Sequence, residues 1–147
     1  MSSNAIALPA AADRSRSSRA LHMTLWLVQL LLAAVFLLVG YTHAFAPVAV
    51  AVARAPWAAS LPVALLRFIG AMELAGVLGL VLPAATRVRP VFTPLAAAGL
   101  LAMMALAIPF HLSRGERDAV VINLVLGSLA AFVAWGRMRK ARIPARA

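Results

Sequence analysis

The 147-residue sequence contains no cysteine. This absence excludes disulfide bonds, thiolate metal sites and any Cys-x-x-Cys electron relay. The sequence also lacks a glycine-rich dinucleotide motif and any His-x-x-x-His or His-Glu-x-x-His spacing, so it indicates no metal site and no catalytic motif. Redox chemistry, if this protein takes part in it, would depend on a bound cofactor or on a quinone-like partner.

Charged residues are also scarce, because they make up only 12% of the chain while hydrophobic residues make up 64%. Soluble domains carry about 25% charged and about 45–50% apolar residues. A chain of this size could not coat a water-soluble fold with so few polar side chains. Together with a mean hydropathy of +0.94, the composition predicts that a lipid bilayer surrounds most of the chain.

Four apolar runs are each long enough to cross a bilayer, which takes about 20 helical residues. We predict membrane spans at about 24–45, 61–82, 94–112 and 119–136. A tail rich in Ser, Ala and Arg precedes them at 1–22 and is expected to be disordered. A basic tail follows at 138–147. The sequence therefore predicts an all-α fold, an integral membrane four-helix bundle over residues 23–137.

The end of the first span has a second interpretation. Residues 44–46 read Ala-Phe-Ala, which is similar to a signal-peptide cleavage site. The apolar run is longer than the usual ~7–15 residues of a signal peptide, and a 20-residue tail precedes it, so we expect the span to be retained.

Prolines interrupt the segment between the first two spans. Pro47, Pro56 and Pro62 divide an otherwise apolar stretch over residues 46–61. This pattern predicts a short helix at the membrane interface, with Trp57 in the aromatic belt. We also predict that the second span stops at Pro83, since proline disrupts helical hydrogen bonding.

The 14 basic residues exceed the four acidic ones and give a net charge of +10. With four spans, ten of them fall on the side of the two termini: Arg14, Arg16, Arg19, Arg87, Arg89, Arg137, Arg139, Lys140, Arg142 and Arg146. The opposite side has Arg54, Arg114 and Arg117. This bias predicts cytoplasmic N- and C-termini, as in a multi-pass protein of a bacterial inner membrane. No aromatic residues interleave the basic ones, so nucleic acid is not an expected partner.

Glu73 lies near the middle of the second span, where an acidic side chain is costly and commonly functional. The alternative is a hydrogen bond that locks two helices together. Arg67 precedes it by six residues, which leaves the two side chains about 120° apart on the helix. We expect Arg67 to extend to the outer interface, or otherwise to bend toward Glu73 or toward a partner that both residues contact.

Further polar residues fall in the outer half of the other spans: Tyr41, His43, His111 and Asn123. Together with Glu73 and Arg67, they form a candidate intramembrane polar site that lines a cavity open to the extracytoplasmic side. The alternative for each histidine is an imidazole ring at the membrane interface.

Small residues predict where the helices approach closely. In the second span they are Gly70, Ala71, Ala75, Gly76 and Gly79, and in the fourth they are Gly127 and Ala131. Met103 and Met104 are interpreted as core residues that fill gaps rather than as a cofactor site.

Three segments resemble the DoxX and DoxX-like families of small bacterial membrane proteins. They are FLLVGYTHAF at 36–45, RFIGAMELAGVLGLVLP at 67–83 and PLAAAGLLAMMALAIPFHLSRGE at 94–116. The resemblance implies a four-helix protein of the inner membrane, with Glu73 and His111 as candidate site residues. Many relatives carry lysine where this chain has His43.

Three functions remain open at this point. The first is an accessory or scaffold subunit linked to a membrane redox system, a link that comes from the resemblance. The second is a quinone-interacting oxidoreductase component that uses the outer-half cavity. The third is a small-solute or proton pathway around Glu73. Without a cofactor motif, the sequence favours a protein that is not itself an enzyme.

Overall fold

The computed structural model describes residues 8–146, with side chains from residue 19 onward. Its helices are α1 (Leu8–Phe45), α2 (Val48–Arg54), α3 (Val63–Thr86), α4 (Phe92–Ser113) and α5 (Arg117–Trp135). A 3₁₀ turn covers Pro56–Ser60 and a π-helical turn covers Gly136–Lys140. Throughout the described residues, every regular element is helical, and four helices are long and apolar enough to cross a membrane. The predicted all-α, four-span architecture is confirmed.

The four long helices form a bundle in which α1 packs on α3, α3 on α4, and α4 on α5, while α1 contacts α5 less extensively. Its core contains Leu32, Phe36, Leu80, Leu100 and Val133, all at most 2% exposed. Large apolar side chains cover the outside of the bundle. Burying them in lipid removes the cost of exposing them to water, so this surface fits a bilayer.

The first helix begins earlier than the sequence predicted. We expected residues 1–22 to be disordered, but α1 starts at Leu8, so this prediction is wrong for residues 8–22. Residues 10–22 contain no glycine or proline and are rich in alanine and arginine, which favour helices. Pro9 lies in the first turn, where proline is tolerated. Residues 1–7 lie outside the described residues.

The second span continues through Pro83, where we predicted that it would stop. α3 ends at Thr86, and Arg87 follows in the left-handed conformation at φ 61°. Proline removes one hydrogen bond from a helix. Leu80 and Ala84 are buried on either side of Pro83, and their packing keeps this turn helical.

The small residues of α3 lie on two surfaces of the helix, one packed against neighbouring helices and one exposed. Gly70 and Gly76 are buried, as predicted, and a Cβ atom on Gly76 would lie 2.6 Å from the Leu100 side chain. Ala71 and Ala75 are exposed, so neither packs against another helix of this bundle. They follow the buried positions by one or two residues, which rotates them by about 100–200° toward the lipid.

The remaining predicted small-residue positions lie near α4. A Cβ atom on Gly79 would meet that of Ala96 at 2.6 Å, and one on Gly127 would meet Met104 at 3.4 Å. Ala131 lines a shallow groove between α4 and α5. These three positions agree with the predicted close approach of helices.

The two ends of the bundle carry different charges. At the first end, which we call the basic end, the Arg146 backbone N–H donates to the Arg87 carbonyl at 3.0 Å. The C-terminal residues and the α3–α4 turn therefore meet there, together with the N-terminal half of α1. At the second end, which we call the cavity end, the α1–α3 connection meets the α4–α5 loop. The cytoplasmic position of the basic end remains a prediction from charge.

Candidate functional site

A buried histidine and glutamate form the centre of the candidate site. His43 lies in the last turn of α1, and its Nδ1 is 2.9 Å from Oε2 of Glu73 on α3. Their side chains are only 4% and 5% exposed. His43 therefore lies inside the bundle, and the alternative of an imidazole at the membrane interface does not describe it.

Two glycines let the backbones of α1 and α3 come close enough for this pair. A Cβ atom on Gly40 would lie 3.0 Å from the Cβ of Glu73. A Cβ atom on Gly70 would lie 2.8 Å from the His43 carbonyl carbon and would collide with the Ala44 nitrogen. The pair forms because glycine lets the helix backbones touch.

The pair has two hydrogen-bonded states that differ by one proton. With Glu73 ionised, the His43 Nδ1–H donates to the carboxylate and Nε2 is an acceptor. With Glu73 protonated, its O–H donates to Nδ1 and Nε2 carries a hydrogen. Among the described residues, the hydrogen bonds of the His43 ring involve Nδ1, which leaves Nε2 for a ligand.

A cavity of about 920 Å³ adjoins the pair. Its walls are mainly apolar and include Val39, Leu65, Leu106, Ile122 and Leu126. Its polar lining residues include His43, Glu73, His111, Glu116 and Asn123. Apolar walls with a few convergent polar groups are typical of small-molecule sites.

A second histidine–glutamate pair lies at the α4–α5 loop. His111 Nδ1 is 2.7 Å from Glu116 Oε2, and Arg114 Nε donates to Glu116 Oε1 at 2.8 Å. The hydrogen bond from His111 is the main cause that lowers the pKa of Glu116, and the Arg114 guanidinium lowers it further. The sequence analysis missed Glu116, since a loop carboxylate beside Arg114 has the pattern of an ordinary solvated loop.

The Trp57 indole lies between the two histidines. Its ring centroid is 5.1 Å from that of His43 and 5.7 Å from that of His111, with edge-to-face geometry in both cases. Trp57 belongs to the 3₁₀ turn and is half-buried in the cavity wall. The short helix predicted for residues 46–61 is present, as α2 and this turn. The interface position of Trp57 stays a prediction, and the same segment places the indole in the wall of the cavity.

Asn123 adds a buried amide to the wall of the cavity. Asn123 is 8% exposed, and its side-chain nitrogen Nδ2 has no hydrogen-bond partner within the described part of the protein. An unsatisfied buried amide costs about 1–3 kcal/mol. A ligand carbonyl at this position would remove that cost.

Two predicted site residues do not line the cavity. Tyr41 is 59% exposed and stacks on Phe45, since two residues of helix turn it about 200° away from His43. Arg67 donates from Nη1 to the His43 carbonyl at 2.8 Å and from Nη2 to the Ala46 carbonyl at 2.7 Å. It therefore neither bends to Glu73 nor extends freely to the interface.

The sequence predicts that Gln29 bonds between helices, and it does so in a buried network at the basic end whose arginine was not predicted. Arg137, placed in the basic collar by the sequence, is 3% exposed and donates from Nε to Gln29 Oε1 at 2.6 Å. Gln29 in turn donates to the Leu80 carbonyl at 2.8 Å. Arg137 also lies 5.5 Å above the Trp26 ring. This network joins α1, α3 and the π-helical turn.

The fold and site define a multi-pass helical membrane protein with a buried histidine–glutamate pair beside an apolar cavity. A sequence profile of the DoxX-like family matches residues 27–133, nearly three quarters of the chain. The chain therefore belongs to the DoxX-like family, as its sequence motifs predicted. No curated protein and no solved structure gives a match.

Proposed function

We propose that this protein is an accessory subunit of a membrane redox system and that its cavity binds a quinone. The observation that carries the proposal is the unpartnered, buried Asn123 amide in an apolar cavity that also contains two imidazole rings. A quinone needs apolar walls for its ring and tail and donors for its carbonyl oxygens. These residues offer both.

The cavity size supports a ligand of this class. Small-molecule sites commonly have volumes of about 300–1,000 Å³, and this cavity has about 920 Å³. The half-buried Trp57 indole gives an aromatic surface on which a quinone ring can stack. Aliphatic side chains on α1 and α5, among them Val39 and Ile122, offer a surface to a lipid-like tail.

The proton chemistry of a quinone fits the buried pair. Reduction of a quinone to a quinol takes up two electrons and two protons. His43 can exchange a proton at Nε2 while Glu73 stabilises either charge state through Nδ1. We assign electron supply to the redox partner, and this division of labour makes the protein an accessory subunit.

The cavity's tryptophan gives a direct binding test. The sequence has three tryptophans, so Trp26→Phe and Trp135→Phe leave Trp57 as the sole indole. In nanodiscs, a short-tailed ubiquinone should quench Trp57 fluorescence saturably. Asn123→Leu should weaken binding about tenfold, because it removes the donor. Tyr41→Phe, outside the cavity, is the matched control and should bind like the parent.

Two results would overturn the proposal. One is quenching that rises linearly with quinone and never saturates, as expected for collisions in the lipid. The other is equal affinity of the Asn123→Leu variant and the Tyr41→Phe control.

The accessory role has its own test. Affinity purification of the parent chain in mild detergent should recover a redox protein with it, and recovery of none would contradict this role.

The structure offers less support for a pathway through the bundle. The described residues between the cavity and the basic end include Leu32, Phe36, Leu100 and Val133, which pack in one apolar cluster. A proton or solute path would need polar groups or water at this depth. Proton flux into liposomes should therefore be the same for the parent and for Glu73→Ala, and a loss of flux would favour a pathway.

A further inference from the structure

Three residues of α3 hold the last turn of α1. Arg67, Gly70 and Glu73 follow one another at intervals of three residues. Arg67 donates to one carbonyl in the last turn of α1 and to one just beyond it, Gly70 lets the two backbones touch, and Glu73 binds the His43 side chain. Although Arg67 and Glu73 lie about 120° apart on the helix, the sequence left open a partner that both contact, and His43 is such a partner.

The Arg67 guanidinium meets a physical need at this position. The last carbonyls of a helix have no partner within the helix, and an unsatisfied carbonyl in a membrane costs several kcal/mol. One nitrogen of Arg67 donates to the His43 carbonyl and the other to the Ala46 carbonyl. The positive charge also complements the partial negative charge at a helix C-terminus.

His43 is thus held at two points by the same helix. Arg67 holds its backbone carbonyl and Glu73 holds its ring, so its backbone position and its ring orientation are both fixed relative to α3. We infer that Arg67 is a positioning residue, which sets where the His43 ring meets a ligand in the cavity. This inference rests on the proposed quinone site and deepens it.

Lysine could not replace this arrangement fully. The planar guanidinium donates to two acceptors in fixed directions, whereas an ammonium group is a compact point charge on a flexible stem. Arg67→Lys should therefore keep the charge but lose the fixed bridge between two carbonyls. Arg67→Gln should lose both the positive charge and the bridge between the two carbonyls.

The test combines nitrogen-15 NMR of histidine-labelled protein in nanodiscs with the Trp57 titration by short-tailed ubiquinone. For the NMR samples alone, a His22→Gln, His111→Gln background leaves His43 as the only histidine signal, while the titration samples keep His111, which lines the cavity. Arg67→Gln should shift both ring nitrogen resonances of His43 and weaken quinone binding about tenfold. Arg67→Lys should restore part of each change. Arg139→Gln is the matched control, since Arg139 is an exposed arginine of the basic end, does not line the cavity and should leave His43 unchanged.

The two readouts separate this inference from the proposed function. If wild-type protein binds no quinone but Arg67→Gln still shifts His43, Arg67 positions His43 and the proposed ligand is wrong. If the His43 resonances are the same in Arg67→Gln and the parent, the positioning role is overturned, whatever the affinity. If Arg67→Gln does not fold, the same two measurements on Arg67→Lys, compared with Arg139→Gln, decide by the same criteria.

Discussion

The two ends of the bundle both bury polar side chains, but they surround them differently. At the basic end, Arg137 is bonded to Gln29 and packing is tight, since a Cβ atom on Gly136 would lie 2.5 Å from Leu25. At the cavity end, His43 and Glu73 adjoin about 920 Å³ of space. A polar group packed on all sides stabilises the fold, whereas one beside a cavity can also bind a ligand. We therefore expect the basic-end network to stabilise the fold and the cavity-end pair to bind a ligand as well.

The largest expected effect comes from the helix contact that builds the cavity end. Gly70→Ala should lower the free energy of unfolding by about 3 kcal/mol and abolish saturable quinone binding, because the new methyl group collides with α1. Reversible unfolding in mixed micelles measures the first effect. Gly99→Ala is the control, since its Cβ would meet nothing within 4 Å. Equal stability of the two variants would contradict the assigned contact.

Breaking the basic-end network should affect stability alone. Arg137→Met leaves the Gln29 oxygen without its donor, and we expect a loss of about 2 kcal/mol in unfolding free energy. Quinone affinity should stay within about twofold of the parent, a change worth only ~0.4 kcal/mol. Arg139→Met, an exposed neighbour, should change neither quantity. Weaker quinone binding by Arg137→Met would remove the distinction between the two ends.

Replacing the buried acid Glu73 should weaken quinone binding more than it destabilises the fold, the reverse of the result expected for Arg137. Glu73→Gln keeps the shape and a hydrogen bond to His43 but loses the exchangeable charge. We expect quinone affinity to fall about tenfold, equivalent to ~1.4 kcal/mol, with a smaller change in unfolding free energy. Fluorescence titration and unfolding of the same samples measure both. A stability loss with unchanged affinity would make Glu73 a helix-locking residue like Gln29.

The smallest effect concerns the loop pair. Because the folded-state pKa of Glu116 lies below its ordinary value of 4.5, its contacts stabilise the loop fully above that pH. The stabilisation is lost as pH falls through the lowered pKa. Trp57 fluorescence should therefore show a transition below pH 4.5 that depends on the Glu116 carboxylate. Glu116→Gln should lack this acid transition, and an identical transition in the variant would assign it to another group.

The sequence predicted the deep site residues better than the peripheral ones. Glu73, His43, His111 and Asn123 each interrupt an apolar run, and lipid makes such interruptions costly enough to be informative. Their shared depth followed from the order of the spans. The cavity they line was therefore predictable from single residues and topology, although its size was not.

The errors have physical causes of two kinds. Depth along a helix says nothing about direction around it, so Tyr41 was placed in a site that it faces away from. Residues in connections carry no periodic signal, so neither Trp57 between the two imidazoles nor the Glu116 pair could be predicted. Arg137 belongs to a basic run, and its burial depends on a tertiary partner 108 residues away in sequence.

Photoaffinity labelling tests the central claim most directly. An azido-quinone, activated in nanodiscs with the parent protein, should label peptides that line the cavity, with Trp57 or Asn123 among the modified residues, and excess unmodified quinone should prevent this. Peptides of the basic end that carry Arg137 should stay unlabelled. Labelling that is spread evenly over the lipid-facing helices, or that excess quinone does not reduce, would contradict the account.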